Sequence, residues 1–381
     1  MKVSKLIFNS GHGFILHKQT TTFDDKRCQL VLAFGDRILL ENSTPYQQIK
    51  QKFPNASIVI SSSAGQIVQR KIELNAIAII AIEFEKSSIK AIEHNVFNDL
   101  TLQDFGNRIE NELLHDDLKA ILILSEGSLT NGTELINEFI HRTQKRIPIF
   151  GGLAGDDIRF EKTIVGLNKD AAPGNIVVVG FYGNNLSFGF GSSGGWSDFG
   201  PEREVTLSNK NTVYKIGNRF ALDLYKEYLG KYADELPGSS LYFPLSMKED
   251  ELSEPVVRTI LSIDEEQKSM TFAGDIPQGS RVRLMKGNHD KLVDASYEAA
   301  NQAFNIKYSS PQIVFLVSCV GRRIVLGNRI EEELEVVREV YGDDSFIFGF
   351  YSYGEISPSF EKVACELHNQ TMTITTLFET I

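Results

Sequence analysis

IPIFGGLAGDD, residues 147–157, is an apolar run that closes on a glycine turn, and the chain repeats this pattern twice more. The other copies are SIVISSSAGQI at 57–67 and FIFGFYSYGEI at 346–356. Each copy follows an earlier apolar run that ends within two residues of another glycine, namely QLVLAFGD (29–36), AILILSEG (120–127) and QIVFLVSC (312–319). Because the glycines recur at a separation of roughly 30 residues, the pattern indicates one supersecondary unit used several times.

Each unit has a helix-like segment between its two runs and a third apolar run after them. The third runs are IAIIAIEF (77–84), NIVVVGFY (175–182) and TMTITTLF (371–378). Repeated strand-helix-strand-strand units with continuously apolar strands predict an α/β fold whose sheets are covered by helices. We expect two pseudo-symmetric halves, with SMTFAGDI (269–276) as a degenerate fourth copy and a domain boundary near the glycine-rich stretch that ends at Trp196.

Composition and charge restrict the classes of partner. The chain has 381 residues, 42% of them hydrophobic, and 39 basic against 50 acidic residues give a net charge of −11, which argues against nucleic acid or an anionic membrane as partner. Three cysteines without paired spacing indicate neither a disulfide framework nor a zinc knuckle, and favour a reducing cytoplasm. The apolar runs are far shorter than the ~20 residues of a membrane helix, so no span is expected.

The glycine loops carry the candidate binding residues, and we expect the three loops to converge and to wall a common ligand cavity. Glycines let main-chain N–H groups approach a ligand closely, and Asp156 in GGLAGDD offers an acid for a cation or an ammonium group. Arg322 follows a buried-looking strand and is suited to a carboxylate, while Glu355 lies at the tip of an aromatic segment. This pairing of residue types predicts a zwitterion such as an amino acid. The predicted ligand-binding residues are Ser62, Ser63, Gly65, Gly152, Ala154, Asp156, Cys319, Arg322, Tyr351, Tyr353 and Glu355.

Several enzyme signatures match only in part. GFGSSG from Gly189 and GSSGG from Gly191 lack the helix that a dinucleotide site or a nucleophile elbow requires, and GSLTNGT from Gly127 lacks the lysine of a phosphate-binding loop. The histidines form no pair with metal-ligand spacing. We therefore predict no catalytic residue and no metal site.

Five segments, taken in order, resemble the FIST family with both its N-terminal and its C-terminal domain. They are GGLAGDD (151–157), GNRFALDLYKEYLG (217–230), LVSCVGRRIVLG (316–327), GFYSYGEISP (349–358) and CELHNQTMTITTL (365–377). The resemblance places the N-terminal domain at 27–200 and the C-terminal domain at 201–378. One departure is the first loop, where the family pattern Gly-Cys-Ser-Thr-Ala-Gly-Glu is replaced by ISSSAGQ (60–66), which leaves that cysteine and glutamate without counterparts.

The resemblance implies a cytoplasmic sensory domain of bacterial signal transduction that binds small ligands such as amino acids. Because it covers nearly the whole chain, we expect the output to come from a separate protein such as a histidine kinase or a cyclic-dinucleotide enzyme. No cofactor is predicted under this hypothesis. Two alternatives remain: a haem-based nitric oxide sensor that partners a histidine kinase, with His368 as the candidate axial ligand, and an enzyme acting on an amino-acid-like substrate, with Cys319 as nucleophile.

Overall fold

The computed structural model describes residues 1–9, 11, 13–98, 101–251, 253–304, 312–358 and 365–380. The first part contains β1 (Lys2–Asn9), β2 (Gly13–Gln19), β3 (Leu30–Gly35), α1 (Arg37–Ser43), α2 (Tyr46–Lys52), β4 (Ser57–Ser62), β5 (Gln66–Val68), β6 (Lys71–Glu73) and β7 (Ile77–Glu83). It is followed by β8 (Ser88–Asn95), α3 (Leu102–Glu112), β9 (Leu118–Ser125), α4 (Gly132–Thr143), β10 (Ile149–Leu153), β11 (Val165–Leu167), β12 (Asn175–Tyr182) and β13 (Leu186–Ser193).

The middle of the chain is rich in short strands. It contains β14 (Ser197–Asn209), β15 (Thr212–Ile216), β16 (Arg219–Phe220), α5 (Ala221–Leu229), two 3₁₀ helices (Gly230–Glu235 and Gly238–Tyr242), β17 (Leu245–Lys248), β18 (Val256–Arg258), β19 (Ile260–Asp264), β20 (Ser269–Phe272) and β21 (Arg281–Lys286). The last part contains α6 (His289–Ala303), β22 (Ile313–Cys319), α7 (Val320–Leu326), a 3₁₀ turn (Gly327–Arg329), α8 (Ile330–Tyr341), β23 (Phe346–Ser352), β24 (Gly354–Pro358), β25 (Cys365–His368) and β26 (Met372–Glu379). The predicted α/β class is confirmed.

The repeated unit predicted from the glycine spacing is present three times. In each copy the first and second strands pair in parallel across a helical crossover, and the third strand pairs antiparallel with the first. The spatial orders are β4-β3-β7 in unit one, β10-β9-β12 in unit two and β23-β22-β26 in unit three, each within a six-stranded sheet. The helical crossovers are α1 with α2, α4, and α7 with α8.

The three units exchange strands in a cycle. The short strand that follows each glycine loop leaves its own unit and pairs antiparallel with the second strand of another: β5 of unit one joins β23, β24 of unit three joins β10, and β11 of unit two joins β4. On the other side of each sheet, β1, β8 and β13 pair with the third strands β7, β12 and β26. The three copies therefore form a cyclic arrangement of three six-stranded sheets, which we term the cyclic body, and the remaining sheet lies outside it. This arrangement differs from the two pseudo-symmetric halves that we expected.

One apolar core lies between the three sheets. It contains alternate strand residues from every unit, and Phe34 of unit one stacks on Phe350 of unit three with ring centroids 4.3 Å apart. The outer sheet faces are covered by helices, among them α4 on unit two and α8 on unit three. Burial of both faces explains why runs such as IAIIAI (77–82) are apolar at every position.

The middle of the chain forms a separate eight-stranded sheet around a core that it shares with α5. Its strands pair antiparallel, with β17, β21, β14 and β15 at the centre. The prediction that SMTFAGDI is a fourth copy of the unit is wrong, because its strand β20 pairs antiparallel with β15 and β19 and makes no helical crossover. The predicted boundary at 200/201 falls inside β14. No helix in the described ranges is long and apolar enough to cross a bilayer.

Candidate functional site

The three glycine loops, Ser62–Gly65, Leu153–Asp157 and Tyr351–Glu355, meet at one place, which we term the loop junction. Each pair of loops is joined by a main-chain hydrogen bond. The donors and acceptors are Gly155 N to Ser62 O (3.2 Å), Tyr353 N to Leu153 O (3.2 Å) and Ala64 N to Tyr351 O (2.8 Å). The segments far apart in sequence therefore converge, as their shared pattern predicts.

The loop junction is packed rather than hollow. A Cβ on Gly155 would lie 2.6 Å from the main-chain N of Ala64, and one on Gly152 would lie 2.8 Å from Val317. Gly65 has φ +126°, and a Cβ there would lie 3.2 Å from the Tyr351 ring. These glycines permit the close approach of neighbouring main-chain and side-chain atoms, which is a packing role.

Ala154, Ser62 and Ser63, the other small residues of the predicted site, also form internal hydrogen bonds. Ala154 N donates to Ser125 O at 2.7 Å, and the Ser62 hydroxyl accepts from Ile164 N at 3.0 Å. Ser63 N donates to Gly35 O at 3.0 Å, and its hydroxyl lies 2.8 Å from the Gln66 amide. All of these groups are buried.

Asp156, predicted to receive an ammonium group, is buried and already paired. Its Oδ1 accepts from Arg37 Nε at 2.8 Å and from Arg159 Nε at 2.9 Å, and its Oδ2 accepts from Lys162 N at 3.2 Å. Burial opposes ionisation, but the hydrogen bonds from the two arginines outweigh it and hold the pKa of Asp156 below its usual value. The carboxylate joins unit one to unit two.

Arg322, predicted to bind the ligand's carboxylate, is fully buried against Glu333 of α8. Its Nη2 and Nε donate to Glu333 Oε2 at 2.9 and 3.2 Å. Nη1 donates to Gly194 O at 2.7 Å, and Nη2 also donates to Leu292 O at 2.7 Å. Tyr351 Oη donates to the other Glu333 oxygen at 2.6 Å. The assignment of Arg322 and Tyr351 to a ligand is therefore corrected: both satisfy a buried glutamate.

Glu355 is also enclosed. The hydroxyls of Ser352 and Thr371 donate to its carboxyl oxygens at 2.6 and 2.9 Å, and Thr371 N donates at 3.2 Å. Burial raises the pKa of Glu355 to about 7 despite these donors. Its predicted contact with a ligand ammonium group is corrected to this internal network.

Arg323 is a residue whose role the sequence left open. From α7 of unit three it donates to Ala64 O of unit one and, at 2.5 Å, to Asp157 Oδ1 of unit two. One side chain thus contacts both other glycine loops. The signal was present in the Arg-Arg pair at 322–323, but the pair does not reveal which arginine faces which partner.

Cys319 and Tyr353 line a cavity of about 210 Å³ beside the loop junction, which we term the apolar cavity. It lies between the cyclic body and the eight-stranded sheet. Its lining consists of Phe160, Pro237, Gly238, Leu241, Thr259, Ile260, Leu261, Ala273, Cys319, Val320 and Tyr353. Burial raises the pKa of the Cys319 thiol well above its usual range, so the thiol is protonated at neutral pH and is a poor nucleophile.

A larger cavity of about 440 Å³, the Arg258 cleft, lies further along the same boundary. Its lining includes α4 of unit two and strands β17, β18 and β25, and several of its residues are charged. The lining residues are Thr133, Ile136, Asn137, Ile140, Lys145, Met247, Glu249, Ser253, Glu254, Val256, Arg258, Asp275, Pro277, Cys365, Glu366 and Leu367.

Arg258 is the residue of this cleft that the sequence analysis missed. It is only 6% exposed, and its guanidinium donates to main-chain carbonyls: Nε to Asp275 O at 3.2 Å, and Nη1 to Leu367 O at 3.1 Å and Val257 O at 3.3 Å. Among the described residues no carboxylate forms an ion pair with it. The available signal was an arginine inside the apolar run VVRTIL (256–261), since a charge there is either paired or functional.

His368, the candidate axial ligand for haem, lies outside both cavities. Its Nε2 lies 3.4 Å from Ser357 O, burial lowers its pKa, and it lines neither the apolar cavity nor the Arg258 cleft. Binding of haem by this protein stays a prediction. Within the described ranges, no cluster of three or more His, Cys, Asp or Glu side chains is arranged to hold a metal ion.

Comparison with protein families matches two successive domains. The FIST N domain matches residues 29–219, and the FIST C domain matches residues 221–358. Comparison with curated proteins gives no match. FIST domains are small-ligand sensor domains of signal transduction. Since the two matches cover most of the chain and contain all three glycine loops, the chain belongs to the FIST family.

Proposed function

We propose that this protein is a cytoplasmic sensor whose ligand is an amino acid or a similar zwitterion, bound in the Arg258 cleft. The observation that carries the proposal is the buried guanidinium of Arg258, which lines the cleft and has main-chain carbonyls as its partners. Among the described residues no carboxylate forms a direct ion pair with this buried cation, so a ligand carboxylate would gain a strong, charge-assisted contact there.

The protonation state of Arg258 supports this chemistry. Burial lowers its pKa to about 10, while the negative charges of Glu366, Asp275 and Glu249 act in the opposite direction. The side chain therefore remains a cation at neutral pH. Arginine also offers two parallel N–H groups, a geometry that matches a carboxylate.

The acidic side of the cleft suits the other end of a zwitterion. Glu249, Glu254, Asp275 and Glu366 all line it, and Lys145 is the second cation there among the described residues. A ligand ammonium group placed between these carboxylates and a ligand carboxylate placed on Arg258 would satisfy both signs of charge. The volume of about 440 Å³ lies in the range of roughly 300–1,000 Å³ that is usual for small-molecule sites.

The position of the cleft offers a route to signalling. Ligand contacts to α4 and to β18 would link the cyclic body to the eight-stranded sheet. A ligand that favours one relative position of the two would shift that equilibrium by its differential affinity. We propose that a separate output protein, such as a histidine kinase or a cyclic-dinucleotide enzyme, reads this change.

The test is a thermal-shift and calorimetric screen of the full chain with amino acids. Each amino acid is compared with the amine that lacks its carboxylate and with the carboxylic acid that lacks its ammonium group. An amino acid at a hundred times its dissociation constant should stabilise the protein by about 2.7 kcal/mol. Arg258→Gln should weaken binding by about tenfold or more, because it removes the charge that pairs with the carboxylate. Glu366→Gln and Asp275→Asn should weaken the amino acid and the amine alike.

The matched control is Arg283→Gln, which changes a partly exposed arginine of the neighbouring strand β21 outside the cleft. It should leave the affinity unchanged. Amino-acid binding that is equally tight in Arg258→Gln, or an amine that binds as tightly as its parent amino acid, would remove Arg258 as the carboxylate partner.

A further inference from the structure

The apolar cavity differs in chemistry from the Arg258 cleft and is separate from it. None of its lining residues among the described ranges carries a full charge at neutral pH. Its two titratable side chains are Cys319 and Tyr353, and burial raises the pKa of both. A charged ligand would lose its hydration here without gaining an opposite charge, which excludes zwitterions and anions on energetic grounds.

Among the described lining residues of the cavity, Thr259 carries an unsatisfied polar group. Thr259 is 6% exposed, and its hydroxyl oxygen is buried with no hydrogen-bond partner. Thr259 is a lining residue of the cavity, and buried polar atoms in proteins nearly always have a partner, so a ligand bound there is a source of the missing hydrogen bond. The main chain of Thr259 is already engaged, because its carbonyl accepts from Ala273 N at 2.9 Å.

Two aromatic rings form one wall of the cavity. Phe160 and Tyr353 stack with ring centroids 4.7 Å apart and an angle of 18° between their planes. Tyr353 Oη accepts from Phe160 N at 3.2 Å, and Phe160 has φ +54° and is 45% exposed. A bulky residue is rarely found at positive φ, and here it places an aromatic ring at the cavity's edge rather than in the solvent-excluded core.

We propose that the apolar cavity is a second ligand site, which takes an uncharged aromatic molecule of about the size of indole that hydrogen-bonds to Thr259. The size follows from comparison with an engineered apolar cavity of about 150 Å³, which holds benzene. A volume of about 210 Å³ has room for a second fused ring. The ring faces would pack against Phe160, Tyr353 and the aliphatic wall that includes Ile260 and Val320.

The test compares indole with benzothiophene, a molecule of nearly the same shape that has no N–H group. Each is titrated into the full chain and followed by calorimetry and ligand-observed NMR. We expect both to bind and indole to bind more tightly, because its N–H can donate to the Thr259 hydroxyl. Thr259→Val should weaken indole by about five- to tenfold and leave benzothiophene unchanged or tighter, since the orphaned hydroxyl is gone.

Two further variants and one charged analogue of indole test where the probes bind. Thr271→Val, which alters a hydroxyl of the same sheet outside the cavity, should change neither affinity. Ala273→Leu, which fills the cavity, should abolish binding of both probes. Indole-3-acetate should bind at least about tenfold more weakly than indole, because the wall offers no cation.

The outcomes separate this site from the Arg258 cleft. Arg258→Gln should leave both affinities unchanged, so the fate of the amino-acid proposal does not decide this one. No binding of indole at millimolar concentration, or an indole affinity that is the same in the wild type, Thr259→Val and Ala273→Leu, would overturn the proposal. Should Ala273→Leu fail to fold, the Thr259→Val variant still tests the proposal, because in that variant benzothiophene should bind more tightly than indole.

Discussion

Arg258 and Thr259 are consecutive in the chain, yet their side chains line different cavities. Arg258 ends β18 and lines the charged cleft, whereas Thr259 lies between β18 and β19 and lines the apolar cavity. Both cavities lie along the boundary between the cyclic body and the eight-stranded sheet. A displacement of this one segment therefore changes both sites together.

This adjacency predicts coupling between the two ligands. Measured in the presence of a saturating amino acid, the dissociation constant of indole should change by a factor of about five or more, and indole should change the amino-acid affinity by the same factor. Calorimetric titration of each ligand with and without the other checks this. In Arg258→Gln the amino acid should no longer affect indole. Unequal factors in the two directions would show that the titrations are not reporting binding at two linked sites.

A second prediction concerns Arg322. Arg322→Ala should lower the free energy of unfolding by about 3–5 kcal/mol, because it leaves Glu333 buried without its cation. The double variant Arg322→Met with Glu333→Leu should cost less than the sum of the two single variants, since it removes both charges at once. Urea unfolding of the wild type, Arg322→Ala, Arg322→Met, Glu333→Leu and the double variant measures these differences.

The same variants distinguish a structural arginine from a ligand-binding one. The amino-acid affinity of folded Arg322→Met/Glu333→Leu should equal that of the wild type. A loss of affinity of tenfold or more in that protein, at unchanged secondary structure, would return Arg322 to the binding site that its sequence context suggests.

The sequence identified the three-fold repeat and the convergence of its loops, because both follow from glycine spacing and apolar runs that are visible along the chain. It did not identify the cyclic exchange. The exchanged strands are only three to five residues long, as in β5 and β24, and their partners lie in other units. Pairing between short strands that are distant in sequence depends on tertiary packing, which a local pattern does not contain.

The candidate site was predicted less well, for a physical reason that Arg322 and Glu333 illustrate. Glu333 belongs to EEELEVV (331–337), where three glutamates in a first turn indicate a solvated helix end. In the structure one of the three, Glu333, is buried and forms an ion pair with Arg322. Residue types alone assign that arginine to a ligand. Arg258 was not predicted, because the fold determines that no described carboxylate forms an ion pair with it. The sequence around Arg258 does not show this.

A third prediction follows from the buried carboxyl of Glu355, whose pKa is raised from 4.5 to about 7. The folded state holds this proton more tightly than the unfolded state, so the stabilisation is full below about pH 4.5 and is lost as the pH rises through 7. The loss is on the order of 3 kcal/mol. Glu355→Gln should remove this part of the pH dependence.

Urea unfolding at pH 5 and pH 8 measures the effect. The stability of Glu355→Gln relative to the wild type should be higher at pH 8 than at pH 5. Glu331→Gln, on the exposed side of α8, is the control and should leave the pH dependence unchanged. Parallel stability curves for Glu355→Gln and the wild type would mean that Glu355 ionises normally in the folded protein.

The last prediction tests whether the loop junction is packed as tightly as its hydrogen bonds require. Gly155→Ala places a methyl group 2.6 Å from the main-chain N of Ala64 and 2.9 Å from its Cβ, so the loops of units one and two must separate. Their contact includes the hydrogen bond from Gly155 N to Ser62 O, which would lengthen. We expect the free energy of unfolding to fall by about 2–3 kcal/mol.

Gly238→Ala is the matched control, because a Cβ at that position meets no atom within 4 Å. It should leave the stability unchanged or raise it by up to about 1 kcal/mol, through the lower entropy of the unfolded chain. Equal stabilities for Gly155→Ala and Gly238→Ala would show that the three loops have room to move apart.

Since the apolar cavity adjoins the loop junction through Tyr353, Gly155→Ala should also weaken the binding of indole. An unaltered indole affinity would show that the cavity does not depend on the packing of the loop junction.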